Sequence, residues 1–193
     1  MASGAPTLAY YSTVTGTRTP PGQAFDAAYF GHNVRDTVQF APAIEAMIDH
    51  DLVFDALLLP KHLPVLQDFA GLYPELRLVV DHGAKPQLRT GDIAEWRHEI
   101  TAIARSTNAV CKLSGLVTEA GSANPALLAP CVDHLLEAFG PNRLMWGSDW
   151  PVCRLAAEYG QVKAALEEAL GPIGDYNRSR ILGETAIAFY GLD

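Results

Sequence analysis

The sequence predicts an α/β fold built on a parallel sheet, and two observations carry that reading. Short β-rich runs alternate with stretches whose apolar residues recur at helical spacing, and the strand-like runs are apolar throughout. Strands of that kind belong to sheets covered by helices through right-handed crossovers. Four strands are clear, half the number in a closed eight-stranded barrel, and 193 residues is short for that architecture.

Residues 1–37 form a divergent, poorly specified segment rich in Thr, Gly, Pro and Ala; Thr13 to Thr17 is a weak strand candidate and Pro20-Pro21-Gly22 reads as loop. Residues 38–193 are regular. Phe40, Ile44, Met47 and Ile48 predict a helix ending near Asp49-His50-Asp51, and Leu52 to Leu59 a strand closed by Pro60. Leu66, Phe69, Ala70 and Tyr73 mark a helix stopped by Pro74, with Arg77 to His82 as the next strand. Asp92 and Glu95 suggest a capping box for a helix burying Ile93, Trp96, Ile100 and Ile103. Ala109 to Ser114 is the third strand. Asn124-Pro125 starts a helix carrying Leu128, Cys131, Leu135 and Phe139 inward, with proline where its missing N–H costs nothing. The fourth strand, Arg143 to Trp146, follows a Gly140-Pro141 stop, and helices from Tyr159 to Leu170 and from Asp175 to Tyr190 close the chain.

Composition narrows the function. A net charge of -8 with 14 Lys and Arg, and no basic stripe, argues against a nucleic-acid partner. No apolar run reaches bilayer length and the start lacks the features of a secretory signal, so no membrane partner is expected. Cys111, Cys131 and Cys153 show no C-x-x-C spacing, which fits a reduced, cytoplasmic setting better than a disulfide framework. Glycine-rich phosphate loops and the G-x-S-x-G elbow are absent from the sequence.

The candidate chemistry sits at strand ends. Asp149, after the abrupt Gly147-Ser148 stop, is either the cap of the following turn or a catalytic carboxylate at the edge where parallel sheets bind ligands. His82 ends its own strand, with Leu78 and Val80 on its face and Asp81 on the other. Lys112 shares a face with Ser114; inside an apolar strand it either meets a carboxylate or reaches polar space at the rim. Lys85, in the loop after His82, is a rim contact or simply solvated, and His62 is a candidate for the same rim. For His32, His50, His98 and His134 a solvated or capping role is the default, and the sequence holds neither H-x-H nor H-E-x-x-H.

Three ordered stretches carry a resemblance. Val79-Val80-Asp81-His82-Gly83-Ala84-Lys85-Pro86, Val110-Cys111-Lys112-Leu113-Ser114-Gly115-Leu116-Val117-Thr118-Glu119-Ala120 and Arg143-Leu144-Met145-Trp146-Gly147-Ser148-Asp149-Trp150-Pro151-Val152-Cys153 closely resemble the amidohydrolase-related family of metal-dependent hydrolases. The likeness is to its sugar-lactonase branch, which includes L-fuconolactonase and L-rhamnono-lactonase. It implies a partial or incomplete TIM-type (β/α) barrel equivalent to the carboxyl-terminal two-thirds, without the H-x-H strand of the family. It also implies that Asp149 activates water and that His82 matches the histidine at the end of the family's fifth strand; His62, Lys85, Lys112, Ser114 and Trp150 are expected from their positions to line the substrate mouth. His82 and Asp149 would be the ligands of any divalent ion, zinc in full-length homologues. The implied activity is hydrolysis of a sugar-acid lactone or similar small-molecule cyclic ester. The alternative is an inactive partial barrel acting through self-association as a homo-oligomer or through a partner chain, because missing strands would leave an open sheet edge.

Overall fold

The computed structural model describes residues 11–12, 17–19 and 39–192, in two compact units, Met1–Leu52 and Val53–Asp193. In the first unit β1 (Tyr11–Ser12) pairs antiparallel with β2 (Thr17–Arg18), and α1 (Phe40–Asp49) buries Ile44. Of the weak strand expected at Thr13 to Thr17, only Thr17 is described, and it lies in β2; Pro20-Pro21-Gly22 and His32 lie outside the described residues.

The second unit holds a four-stranded parallel sheet whose neighbours follow chain order: β3 (Val53–Ala56), β4 (Arg77–Val80), β5 (Val110–Leu113) and β6 (Leu144–Trp146). Between them run α2 (Leu63–Leu72), α3 (Ala94–Ser106), the short α4 (Leu116–Ala120) and α5 (Pro125–Phe139). This repeated strand–helix order is that of a stretch of a (β/α) barrel. After β6 come α6 (Tyr159–Leu170) and a continuous helical run of α7 (Asp175–Ser179), a π-type widening at Arg180–Glu184 and α8 (Thr185–Tyr190).

The buried stripes fall where the periodicity places them. Trp96, Ile100 and Ile103 of α3 and Leu128, Cys131, Leu135 and Phe139 of α5 are all in the main core, against Leu78, Val80, Cys111, Leu113 and Leu144 of the sheet. Each large apolar side chain so buried contributes about 1.5–3 kcal/mol. Asn124 caps α5 as expected, its Oδ1 accepting from the Ala126 N–H at 3.1 Å, with Pro125 in the first turn. The expected capping box on α3 does not form. Asp92 Oδ1 accepts only a long 3.5 Å bond from the Ala94 N–H, and Glu95 makes no return bond to the cap. All three cysteines are buried and unpaired.

Each strand is shorter than the apolar run that predicts it. β4 stops at Val80, so Asp81 and His82 leave the strand and enter a turn over Asp81–Ala84. β5 stops at Leu113, one residue before Ser114, and Arg143 sits in the turn before β6. There the Arg143 guanidinium donates to the Ala104 and Thr107 carbonyls at 2.8 and 3.1 Å, tying the end of α3 to the entry of β5. The sheet face opposite the main core carries Val53, Val79, Val110 and Met145, packed against Ala186, Phe189 and Tyr190 of α8.

Candidate active site

The site gathers where β4, β5 and β6, three neighbouring strands, release their chains at the carboxyl end. Alternation from Leu78 and Val80, which face the main core, would send the side chain at position 82 under the helices. The backbone prevents this: His82, Gly83, Ala84 and Lys85 all have positive φ, at 52°, 55°, 59° and 52°. The chain makes a left-handed turn closed by a 2.9 Å bond from the Lys85 N–H to the His82 carbonyl, and this turn redirects the imidazole. Left-handed geometry costs roughly 1–2 kcal/mol for each residue bearing a Cβ. Asp149 is also left-handed, at φ 57°, so both catalytic candidates sit on strained backbone, which concentrates at functional sites.

His82 Nε2 is 3.5 Å from Asp149 Oδ1 and 3.5 Å from Asp81 Oδ2. Its other nitrogen, Nδ1, is 2.7 Å from Ser114 Oγ. Two carboxylates around Nε2 favour the proton on that nitrogen, which makes Ser114 the donor to Nδ1. The second oxygen of Asp149, Oδ2, accepts a 2.8 Å bond from the Thr118 hydroxyl. One polar atom of each partner is therefore anchored, and the remaining two face each other. The turn after Asp149 is closed by its carbonyl, which accepts from the Cys153 N–H at 2.8 Å, leaving the carboxylate for the site.

Close packing fixes the ring. Gly115 has φ 68°, and a Cβ there would stand 2.8 Å from His82 Cγ and 2.9 Å from His82 Cβ. At Gly83 a Cβ would meet Leu135 Cδ1 at 3.2 Å, and the Gly83 carbonyl accepts a 2.7 Å bond from the Trp96 indole N–H. The Cys111 thiol lies beneath this turn; burial pushes its pKa up, against a smaller pull from a hydrogen bond with the Gly83 backbone.

Lys112 meets carboxylates. Its ammonium is 2.7 Å from Asp55 Oδ1 and 3.5 Å from Asp81 Oδ1, and it lies over the Tyr190 ring. Burial pulls its pKa down, but the Asp55 hydrogen bond, the Asp81 charge and the Tyr190 hydroxyl together raise it above the ordinary lysine value. Tyr190 donates to Asp55 Oδ1 at 2.6 Å, and burial with that bond pushes its own pKa up to about 12. Asp81 Oδ1 is buried and makes no hydrogen bond among the described residues; Lys112 balances its charge at a distance.

The remaining candidates lie apart from this network. Lys85 pairs with Glu119 at 3.7 Å, and Trp150 is 63% exposed on the segment after Asp149. His62 Nδ1 accepts from the Leu59 N–H at 3.2 Å in the turn after β3. His134 Nε2 lies 2.9 Å from Thr101 Oγ1 and its ring packs beside Trp96. Asp81, Thr118, Asp55 and Tyr190 are functional neighbours that the sequence does not single out. Asp81 keeps the face that alternation assigns it, beside Lys112 and opposite Leu78 and Val80, and the redirected His82 ring comes to it; Thr118 sits on α4, a five-residue helix without a periodic signal. Among the described residues, no group of three or more His, Cys, Asp or Glu side chains is arranged to hold a metal ion. No helix among them is long and apolar enough to cross a membrane.

An L-fucono-1,5-lactonase of Burkholderia ambifaria is 47% identical over 161 residues, covering 79% of this chain and 54% of the relative. A second L-fucono-1,5-lactonase, from Burkholderia multivorans, is 38% identical over 169 residues, covering 81% and 57%. The chain thus spans about half the length of the curated relatives it matches. A crystal structure of an amidohydrolase from Burkholderia multivorans with bound zinc superposes with a TM-score of 0.75 at 38% identity, over 80% of this chain and 58% of that one. The amidohydrolase family profile matches residues 15–192, nearly the whole sequence, and the chain belongs to that family.

Proposed function

We propose that this chain hydrolyses a sugar-acid lactone such as L-fucono-1,5-lactone. The observation that carries the reading is the facing pair, His82 Nε2 and Asp149 Oδ1, 3.5 Å apart and each anchored from behind. A water that donates to Asp149 Oδ1 is held for deprotonation beside the imidazole, whose N–H stays available to the carbonyl. Asp149 takes a proton from this water as its oxygen attacks the lactone carbonyl carbon, and the N–H on His82 Nε2 stabilises the negative charge that develops on the carbonyl oxygen. The ring C–O bond then breaks, and Asp149 returns the proton to the departing hydroxyl oxygen, leaving the open-chain acid.

A divalent ion would polarise the carbonyl and acidify the water. His82 and Asp149 supply two donors, whereas a catalytic zinc takes three from protein, so no step here is routed through metal. Titrating acid release from L-fucono-1,5-lactone tests the reading. Turnover above background, lowered at least about 100-fold in Asp149→Asn, supports it; equal rates in the parent and the variant overturn it. The rival is an inactive partial barrel that works through self-association or a partner chain. It predicts that equal-rate outcome.

A further inference from the structure

We propose that Trp96 is a positioning residue for His82, acting through the left-handed turn and without touching substrate. Its functional half rests on the hydrolase reading above; its structural half does not. The argument starts from the four consecutive positive φ values at 82–85, because left-handed residues ordinarily occur singly. Such a run persists only when its surroundings over-determine it. The ring faces Asp149 only while the turn is wound, since an extended backbone at position 82 returns the side chain to the face of Leu78 and Val80.

The clamp is specific. Trp96 is 2% exposed in the main core, held by the same stripe as Ile100 and Ile103, so its indole N–H is fixed in direction. That N–H reaches the Gly83 carbonyl at 2.7 Å, from one residue beyond His82. In the wound turn this carbonyl points into the helix layer. Unwinding turns it away and leaves a buried indole N–H without an acceptor. The core thereby favours one backbone state of the catalytic turn, and α3 transmits the rigidity of the core to the imidazole.

The test replaces the donor and keeps the shape. Trp96→Phe removes the N–H together with ring volume, so a second variant carries benzothienylalanine at position 96, an indole-sized ring with sulfur in place of the N–H. A third carries azatryptophan, which keeps the N–H and serves as rescue. Two readouts are taken on the full 193-residue chain. Hydrogen exchange at the Lys85 amide, which donates to the His82 carbonyl, reports the turn, with the Ile100 and Leu113 amides as core references. In the benzothienylalanine chain, Lys85 protection is expected to fall about tenfold with the references unchanged, kcat for lactone hydrolysis to fall about tenfold, and KM to stay within about twofold; azatryptophan restores parental values. Unchanged Lys85 protection overturns the proposal, as does lost protection with unaltered kcat in an active chain. A parent without lactonase activity sinks the hydrolase reading alone, because the exchange comparison still decides whether Trp96 holds the turn.

Discussion

Ser114 Oγ lies 2.7 Å from His82 Nδ1, and the serine is 5% exposed, so this bond forms almost out of reach of water. Ser114→Ala leaves a ring nitrogen unpartnered at a cost of about 1–3 kcal/mol and frees the imidazole to rotate away from Asp149. The expected outcome is a lower urea midpoint together with a kcat/KM for lactone hydrolysis reduced about tenfold. Unchanged turnover would show that packing alone orients the ring.

The packing contribution is read separately at Gly115. Its φ of 68° disfavours any Cβ, and an alanine methyl would stand 2.8 Å from His82 Cγ with no flexible side-chain end to yield. Gly115→Ala should destabilise the chain by roughly 2–5 kcal/mol, the sum of left-handed strain and overpacking. It should also displace the imidazole, which a changed His82 ring resonance in NMR spectra would detect. A neutral effect in both measurements would mean that the backbone at position 115 rearranges freely.

How much of this was legible in sequence divides along physical lines. The stripes of α3 and α5, the cap at Asn124 and the order of strands follow from periods of 3.6 residues and from proline and glycine stops, which are local signals. The convergence of His82 and Asp149 was reachable because both follow strand ends in one repeating unit. The left-handed turn was not. Only Gly83 hints at positive φ, while His82, Ala84 and Lys85 adopt it because the surrounding core imposes it. Tyr190 is 135 positions from Asp55, and no spacing rule links them.

Thr118 tests whether the carboxylate needs its anchor. Thr118→Val keeps the shape and removes the hydroxyl that donates to Asp149 Oδ2 at 2.8 Å. Bonds to charged groups are worth about 1.5–3 kcal/mol, so kcat should fall about tenfold or more while Thr118→Ser retains most activity. Equal rates in the valine and serine variants would remove Thr118 from the machinery.

Lys112 is the ammonium shared by Asp55 and Asp81, and removing it leaves two carboxylates facing each other across β3 and β4 without their cation. Lys112→Met should destabilise by about 2–3 kcal/mol, less than a fully buried pair because Asp55 is partly exposed. Adding Asp55→Asn should recover part of that loss. A double variant no better than the single one in urea unfolding would show that the lysine stem, and not its charge, carries the effect.

The same cluster sets the alkaline limit of stability. Tyr190 and Lys112 both have pKa values raised in the folded chain, Tyr190 by burial and then by its bond to Asp55, up to about 12. A group with a raised folded pKa contributes its full stabilisation below its unfolded pKa, about 10 for tyrosine and about 10.4 for lysine. That contribution drains away as pH climbs through the folded value, because the unfolded chain then gives up its protons first. Stability from this cluster should therefore be flat up to about pH 10 and decline as pH rises above it. Tyr190→Phe removes one of the two contributions, so urea midpoints measured from pH 8 upward should start lower in the variant and fall less steeply above pH 10. Superimposed curves for parent and variant would mean that the Tyr190 hydroxyl has no stake in holding α8 against the sheet.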